Sequence, residues 1–147
     1  MNEALMERLQ KFLSREDRAS LVGCPATQEE ISHAEQLLNV SFHEDYLRFI
    51  RMFGGAYAGL PIHAFSNGSS IGNETIVDLT LDFREQYKEL PFGDELRASY
   101  VISIDGSGDP IIIDQTGKVF ICYHDTGEVK FLADSFEALI EDNFYEW

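Results

Sequence analysis

The stretch YVISIDGSGDPIIIDQTGKVFICYHDTGEVKFL, residues 100–132, decides how this chain folds. It holds four short apolar runs, Tyr100–Ile104, Ile111–Ile113, Val119–Tyr123 and Val129–Leu132, rich in the β-branched and aromatic residues that suit a pleated surface. The gaps between them are turn chemistry: Asp105-Gly106-Ser107-Gly108-Asp109-Pro110, Asp114-Gln115-Thr116-Gly117 and His124-Asp125-Thr126-Gly127. Gly and Asp accept the positive φ of tight reversals, so successive runs pair antiparallel. The expectation is a four-stranded β-meander.

Working outward, helical patterns flank the meander. Leu5, Leu9, Phe12 and Leu13 predict an amphipathic N-terminal helix over 3–18. Thr27 with Glu30 forms a capping box ahead of Ile31, Ala34, Leu37 and Leu38. Ser41 with Glu44 repeats the signature before Phe42, Tyr46, Phe49, Ile50 and Phe53, and Gly54-Gly55 ends that helix. Ile76, Leu79, Phe83 and Tyr87 predict a helix within 74–89, Pro91–Asp94 a loop, and Asp134 with Glu137 the cap of a last helix carrying Phe136, Leu139, Ile140 and Phe144. Between these, residues 56–72 are rich in Gly, Ser and Pro, with a possible strand at Leu60–Phe65. Few large apolar residues fall there, so Gly55–Gly72 is expected to be the most mobile ordered part. The fold class is α+β, an antiparallel sheet with helices packed on one face. Phe49, Phe53, Phe83, Ile102, Ile113, Ile121 and Phe136 are the core candidates.

The 147 residues fit a single domain over 1–147. Eleven basic against 26 acidic residues give a net charge of −15, which disfavours direct nucleic-acid binding and adsorption to an anionic membrane face, and favours a basic protein partner. The excess is uneven: residues 73–147 carry 17 acids and five bases, −12 of the total, whereas residues 1–24 balance at four each. Within the negative half, Asp105, Asp109, Asp114, Asp125 and Glu128 stand in or beside the meander turns. They are the candidate partner-binding residues. Two cysteines, Cys24 and Cys122, make no disulfide framework. Charged residues interrupt the N-terminal leucines, so no secretory signal is read, no apolar run reaches membrane length, and a cytoplasmic location is expected.

Catalytic and metal motifs fail on spacing. The Asp105–Asp109 turn has side-chain oxygens at alternate positions, but Pro110 and Thr116 stand where a helical calcium loop needs Gly and Glu. Gly106 and Gly108 lack the following helix of a dinucleotide fingerprint. Cys122 and His124 lack a third and fourth zinc ligand. No serine has the context of a nucleophile elbow, and His33, His43 and His63 are scattered. The chain is therefore read as a non-enzyme without metal or cofactor.

In order and spacing, Ala26-Thr27-Gln28-Glu29-Glu30-Ile31 leading to Glu35 and Leu38, Asp45-Tyr46-Leu47-Arg48-Phe49, Gly54-Gly55, Ile104–Asp109, Asp114, Gly117-Lys118-Val119, Asp125, and Ala133-Asp134-Ser135-Phe136 before Leu139 resemble the SUKH superfamily over residues 26–144. That superfamily includes fungal cell-wall synthesis regulators and bacterial immunity proteins. Two features depart from its pattern: Val40-Ser41-Phe42 lacks the proline usual before the third helix, and the only tryptophan is Trp147. The resemblance implies a cytoplasmic immunity protein, an antitoxin that blocks a cognate toxin used in bacterial competition, often a nuclease; an intracellular adaptor is the alternative. Such a protein is expected to be a monomer or weak dimer. An acidic antidote suits a basic nuclease cleft because it imitates the charge of the substrate.

Overall fold

A computed structural model describes residues 1–147. The meander forms as β3 (Tyr100–Ile104), β4 (Pro110–Ile113), β5 (Val119–Cys122) and β6 (Val129–Ala133), antiparallel in the order β3-β4-β5-β6. Before it come helices α1 (Glu3–Leu13), α2 (Gln28–Leu38) and α3 (Glu44–Phe53), a two-stranded hairpin β1 (Ala56–Tyr57) and β2 (Pro61–Ile62), then α4 (Ile76–Gln86) and α5 (Gly93–Arg97); α6 (Phe136–Asn143) follows it. The α+β class and the sheet order are those expected.

Alternation along the strands divides the sheet into two faces. Tyr100, Ile102, Ile111, Ile113, Val119 and Ile121 enter the larger core with residues of α1, α2, α3 and α6. This is the helical layer the sequence predicts on one face. Val101, Ile112 and Cys122 look the other way, and Leu79 and Phe83 of α4 with Phe92 and Leu96 of α5 cover them in a smaller second core. The expectation of helices on one face is thus extended by a partial cover on the opposite one. All seven core candidates are buried.

Helix starts differ from the sequence reading where tertiary contacts satisfy the first backbone donors. The Thr27–Glu30 box forms as expected. Ser41 and Glu44 form none: Phe42 must enter the core, its N–H donates to Glu35 Oε2 (2.8 Å), and the N–H of His43 donates to the Tyr100 hydroxyl (2.9 Å). The helix accordingly starts after His43. Ser135 rather than Asp134 caps α6, and the Glu137 N–H is taken by Asp45 (3.0 Å). Thr75 with Asp78 makes a second true capping box, at α4. The predicted 3–18 helix stops at Leu13, because the chain doubles back through a 3₁₀ turn, Glu16–Leu21. That turn buries Arg18, whose guanidinium lies 4.1 Å from the Phe12 ring centre and 4.2 Å from that of Trp147. The loop expected over Pro91–Asp94 is only Pro91–Phe92, since Gly93 and Asp94 already belong to α5.

The Gly-rich segment is tightly packed. Only Pro61–Ile62 of the possible Leu60–Phe65 strand pairs, with β1, yet Ala56, Ala58, Ile62, His63 and Ala64 are all buried. Residues 22–24, 54–56 and 66–68 meet backbone to backbone: Gly55 N–H donates to Ser66 C=O, Gly68 N–H to Gly55 C=O, and Gly23 N–H to Phe53 C=O. Asn67 ties the segment off, accepting from Ala64 N–H and donating to the carbonyls of Gly72 and Glu74. Glycines here allow backbones to approach. The segment also closes one edge of the meander, since His63 N–H donates to Ile102 C=O (2.9 Å) and Ser103 Oγ to Pro61 C=O (2.6 Å). The far edge, β6, has no strand beside it.

Candidate functional site

A meander places its first and third turns at one end of the sheet and its second at the other. Asp105, Asp109, Asp125 and Glu128 therefore gather at one end, and Asp114 lies at the opposite end.

At the first end, Asp105 uses Oδ1 to close its own turn, accepting from Ser107 N–H and Asp109 N–H (2.9 Å each). Asp109 is 4% exposed. Its carboxylate accepts from the His124 backbone N–H (3.1 Å) and contacts His124 Nδ1, so it joins two turns and presents no free charge. His124 Nε2 faces Asp125 Oδ1 at 3.1 Å, and the Tyr87 ring stacks on the imidazole with centroids 5.8 Å apart and planes 2° from parallel. Asp109 pairs with Nδ1 and the Asp125 carboxylate lies near Nε2, an arrangement that favours the charged ring. The Asp109 hydrogen bond, foremost, and the charges of Asp125, Asp109 and Asp105 raise the His124 pKa, although desolvation acts against them. The exposed carboxylates at this end are those of Asp125, which lies beside His124, and Glu128, with Asp105 half-buried.

This clasp was not legible from its parts, because Asp109 and His124 lie in different turns and Tyr87 ends α4. Its pH dependence follows from the sign of the shift. A group whose pKa rises on folding stabilises the fold fully below its unfolded value, near 6.5, and loses that contribution as pH climbs through the raised folded value. His124→Phe keeps the stack on Tyr87 and removes both the Asp109 hydrogen bond and the ring charge beside Asp125. Thermal melts should show the largest gap between variant and wild type below the unfolded value, narrowing as the pH rises through the raised folded value. A gap independent of pH would mean that the clasp is not an ion pair.

The other end holds a cleft of about 610 Å³ lined by Glu35, His43, Arg97, Tyr100, Asp114 and Gln115 among others. His43 anchors it. Its Nε2–H donates to Gln115 C=O (3.1 Å), its Nδ1 accepts from the Tyr100 hydroxyl (2.7 Å), and that hydroxyl accepts from the His43 backbone N–H. Burial, foremost, pushes the Tyr100 phenol well above its ordinary range; Asp45, Glu35 and Asp114 push the same way. Asp114 Oδ1 closes the β4–β5 turn, accepting from Thr116 N–H, Thr116 Oγ1 and Lys118 N–H. The cleft is polar and electronegative, and its tyrosine is held protonated.

Neither end joins a nucleophile to a free base. Cys122 is fully buried, and burial lifts its thiol to about 12. Of the four histidines, His33 is exposed on α2, His43 and His124 are bonded as described, and His63 Nδ1 contacts Glu74 C=O (2.6 Å). The bonded side chains hold loops together.

A model of the SMI1 / KNR4 family (SUKH-1) matches residues 25–142. The chain belongs to that family. No match to an individual curated protein accompanies it. Within this SUKH-1 chain the matched span takes in α2 through most of α6, including both ends of the sheet, and leaves out α1 and the 3₁₀ turn. No helix is long and apolar enough to cross a membrane.

Proposed function

We propose that this SUKH-1 protein is a non-enzymatic cytoplasmic immunity protein that neutralises a cognate bacterial toxin, a nuclease, by occupying its basic active cleft. The observation that carries the reading is the placement of charge: −12 of the −15 falls in residues 73–147, and Asp125 and Glu128 stand exposed beside Asp105 at one sheet end. A nuclease must be basic where it holds phosphates, and a surface of that sign attracts it over distances of about a Debye length, ~8 Å at physiological salt. His43, His63 and His124 held in structural bonds, and a Cys122 thiol that is buried, fit a binding role better than a catalytic one.

The test is to look among the neighbouring genes for one that encodes a nuclease toxin and to co-express it with this chain. Wild-type protein should restore growth. The purified pair should form a complex of about nanomolar affinity or better, equivalent to about −12 kcal/mol, because each free toxin molecule turns over many substrates. Lack of both protection and complex would leave the chain to the adaptor reading.

A further inference from the structure

The β6 edge is open in a way the other sheet edge is not. The β3 edge is closed by the His63 and Ser103 hydrogen bonds to and from the β2 segment, whereas β6 has a neighbour only at β5. Tyr123 N–H donates to Glu128 C=O (2.8 Å), and the pairs continue as Cys122 with Val129, Ile121 with Lys130 and Phe120 with Phe131. Antiparallel pairs alternate between bonded and non-bonded, so the N–H and C=O groups of Val129 and Phe131 point away from β5. Both side chains are exposed as well, Val129 at 38% and Phe131 at 49%. They lie on the face covered by α4 and α5, but beyond that cover, with the half-buried Phe120 ring edge-on to Phe131 at 5.8 Å.

An uncovered edge with apolar side chains is a pairing hazard that soluble proteins ordinarily block. A second copy would bring another chain of charge −15 to this edge, which works against self-association. Glu128 and Asp134 bracket the strand, with Lys130 the one base between them. Charge complementarity thus selects a basic occupant. We propose that β6 is a docking edge, on which an extended segment of a basic protein partner adds as a fifth strand, its alternate apolar side chains resting on Val129, Phe131 and Phe120. This rests on the reading of the chain as a binder of a basic protein and locates where the partner's backbone attaches.

The probe is a synthetic dodecapeptide, Lys-Phe-Lys-Val repeated, compared with a peptide of the same composition in which lysines and apolar residues are segregated into blocks. Only the alternating peptide can pair as a strand with all its apolar groups on one face. It should bind at least about tenfold more tightly than the block peptide and shift the amide resonances of residues 129–133 most. Val129→Pro removes an outward N–H without breaking the β5–β6 ladder and should erase the preference. Phe131→Thr, which keeps strand propensity, should reduce it, and decides the matter if the proline variant does not fold. Equal binding of the two peptides, or an undiminished preference in folded variants, overturns the docking edge. So does wild-type self-association in sedimentation that Val129→Pro abolishes, since the edge would then belong to a second copy. None of these outcomes depends on whether a toxin is bound, so the edge and the immunity role fail separately.

Discussion

Gly54→Ala should lower stability by about 3 kcal/mol or more, a fall in melting temperature of roughly 10 °C for a chain of this size. Gly54 ends α3 with φ 62° and ψ −144°, a backbone region open essentially only to glycine. A Cβ there would stand 2.1 Å from the Cys24 carbonyl oxygen and 2.7 Å from that of Ser66, both backbone atoms that no side-chain rotation can move. Relief requires residues 22–24 or 66–68 to withdraw, which disturbs the bonds from Gly23 to Phe53 and from Gly55 to Ser66. The matched control is Gly106→Ala in the β3–β4 turn, where φ is not positive and nothing lies within 4 Å of the added carbon. It should change stability by about 0.5 kcal/mol or less. Similar denaturation curves for the two variants would return the 56–72 segment to the status of a loose loop. Amide exchange in wild-type protein gives the same answer by another route: protection through Gly55–Gly68 comparable to that of the meander follows from the packed backbones.

What was legible in the sequence is what short-range chemistry dictates. Strand pairing over residues 100–133 follows from turn residues placed between β-branched runs, and each turn acts on its own neighbours. The Thr27–Glu30 cap is likewise complete within four residues. The failures share one cause, a partner distant in the chain. Ser41 cannot cap α3 once Glu35 and the Tyr100 hydroxyl hold the Phe42 and His43 amides, and nothing local to Tyr100 announces that bond. Glycines at 54, 55 and 68 look like flexibility until the backbones they admit are known. The candidate acids divide for the same reason. Asp125 and Glu128 keep exposed carboxylates beside Asp105, Asp109 is consumed by His124 fifteen residues on, and Asp114 belongs to the opposite cleft. The edge of β6 required the whole strand order to identify, although Val129 and Phe131 were visible as alternate residues of one run.

Neutralising the charge at the clustered turns should slow association with the cognate toxin by about tenfold or more at low salt. The variant is Asp105→Asn with Asp125→Lys and Glu128→Lys; asparagine retains the acceptor that closes the first turn, and Asp109 is left alone because its carboxylate is buried. Its counterpart, Glu7→Lys with Glu16→Lys and Glu29→Gln, alters net charge by the same amount at exposed positions in or near the N-terminal elements. If only total charge mattered, the two variants would slow capture equally. If the field is directed from the turn end, the first slows it far more, and the difference shrinks as salt shortens the Debye length from about 30 Å at 0.01 M to about 8 Å at 0.15 M. Dissociation should change less than association, because exposed rim charges steer the encounter more than they hold the finished complex. Association rates at two ionic strengths, with each variant's melting temperature as a check on folding, separate these outcomes. Equal slowing by both sets would remove Asp105, Asp125 and Glu128 from the binding surface. Slowing confined to the turn set would also predict weaker protection of toxin-expressing cells at low antidote levels, where capture must outrun the first catalytic turnovers of the toxin.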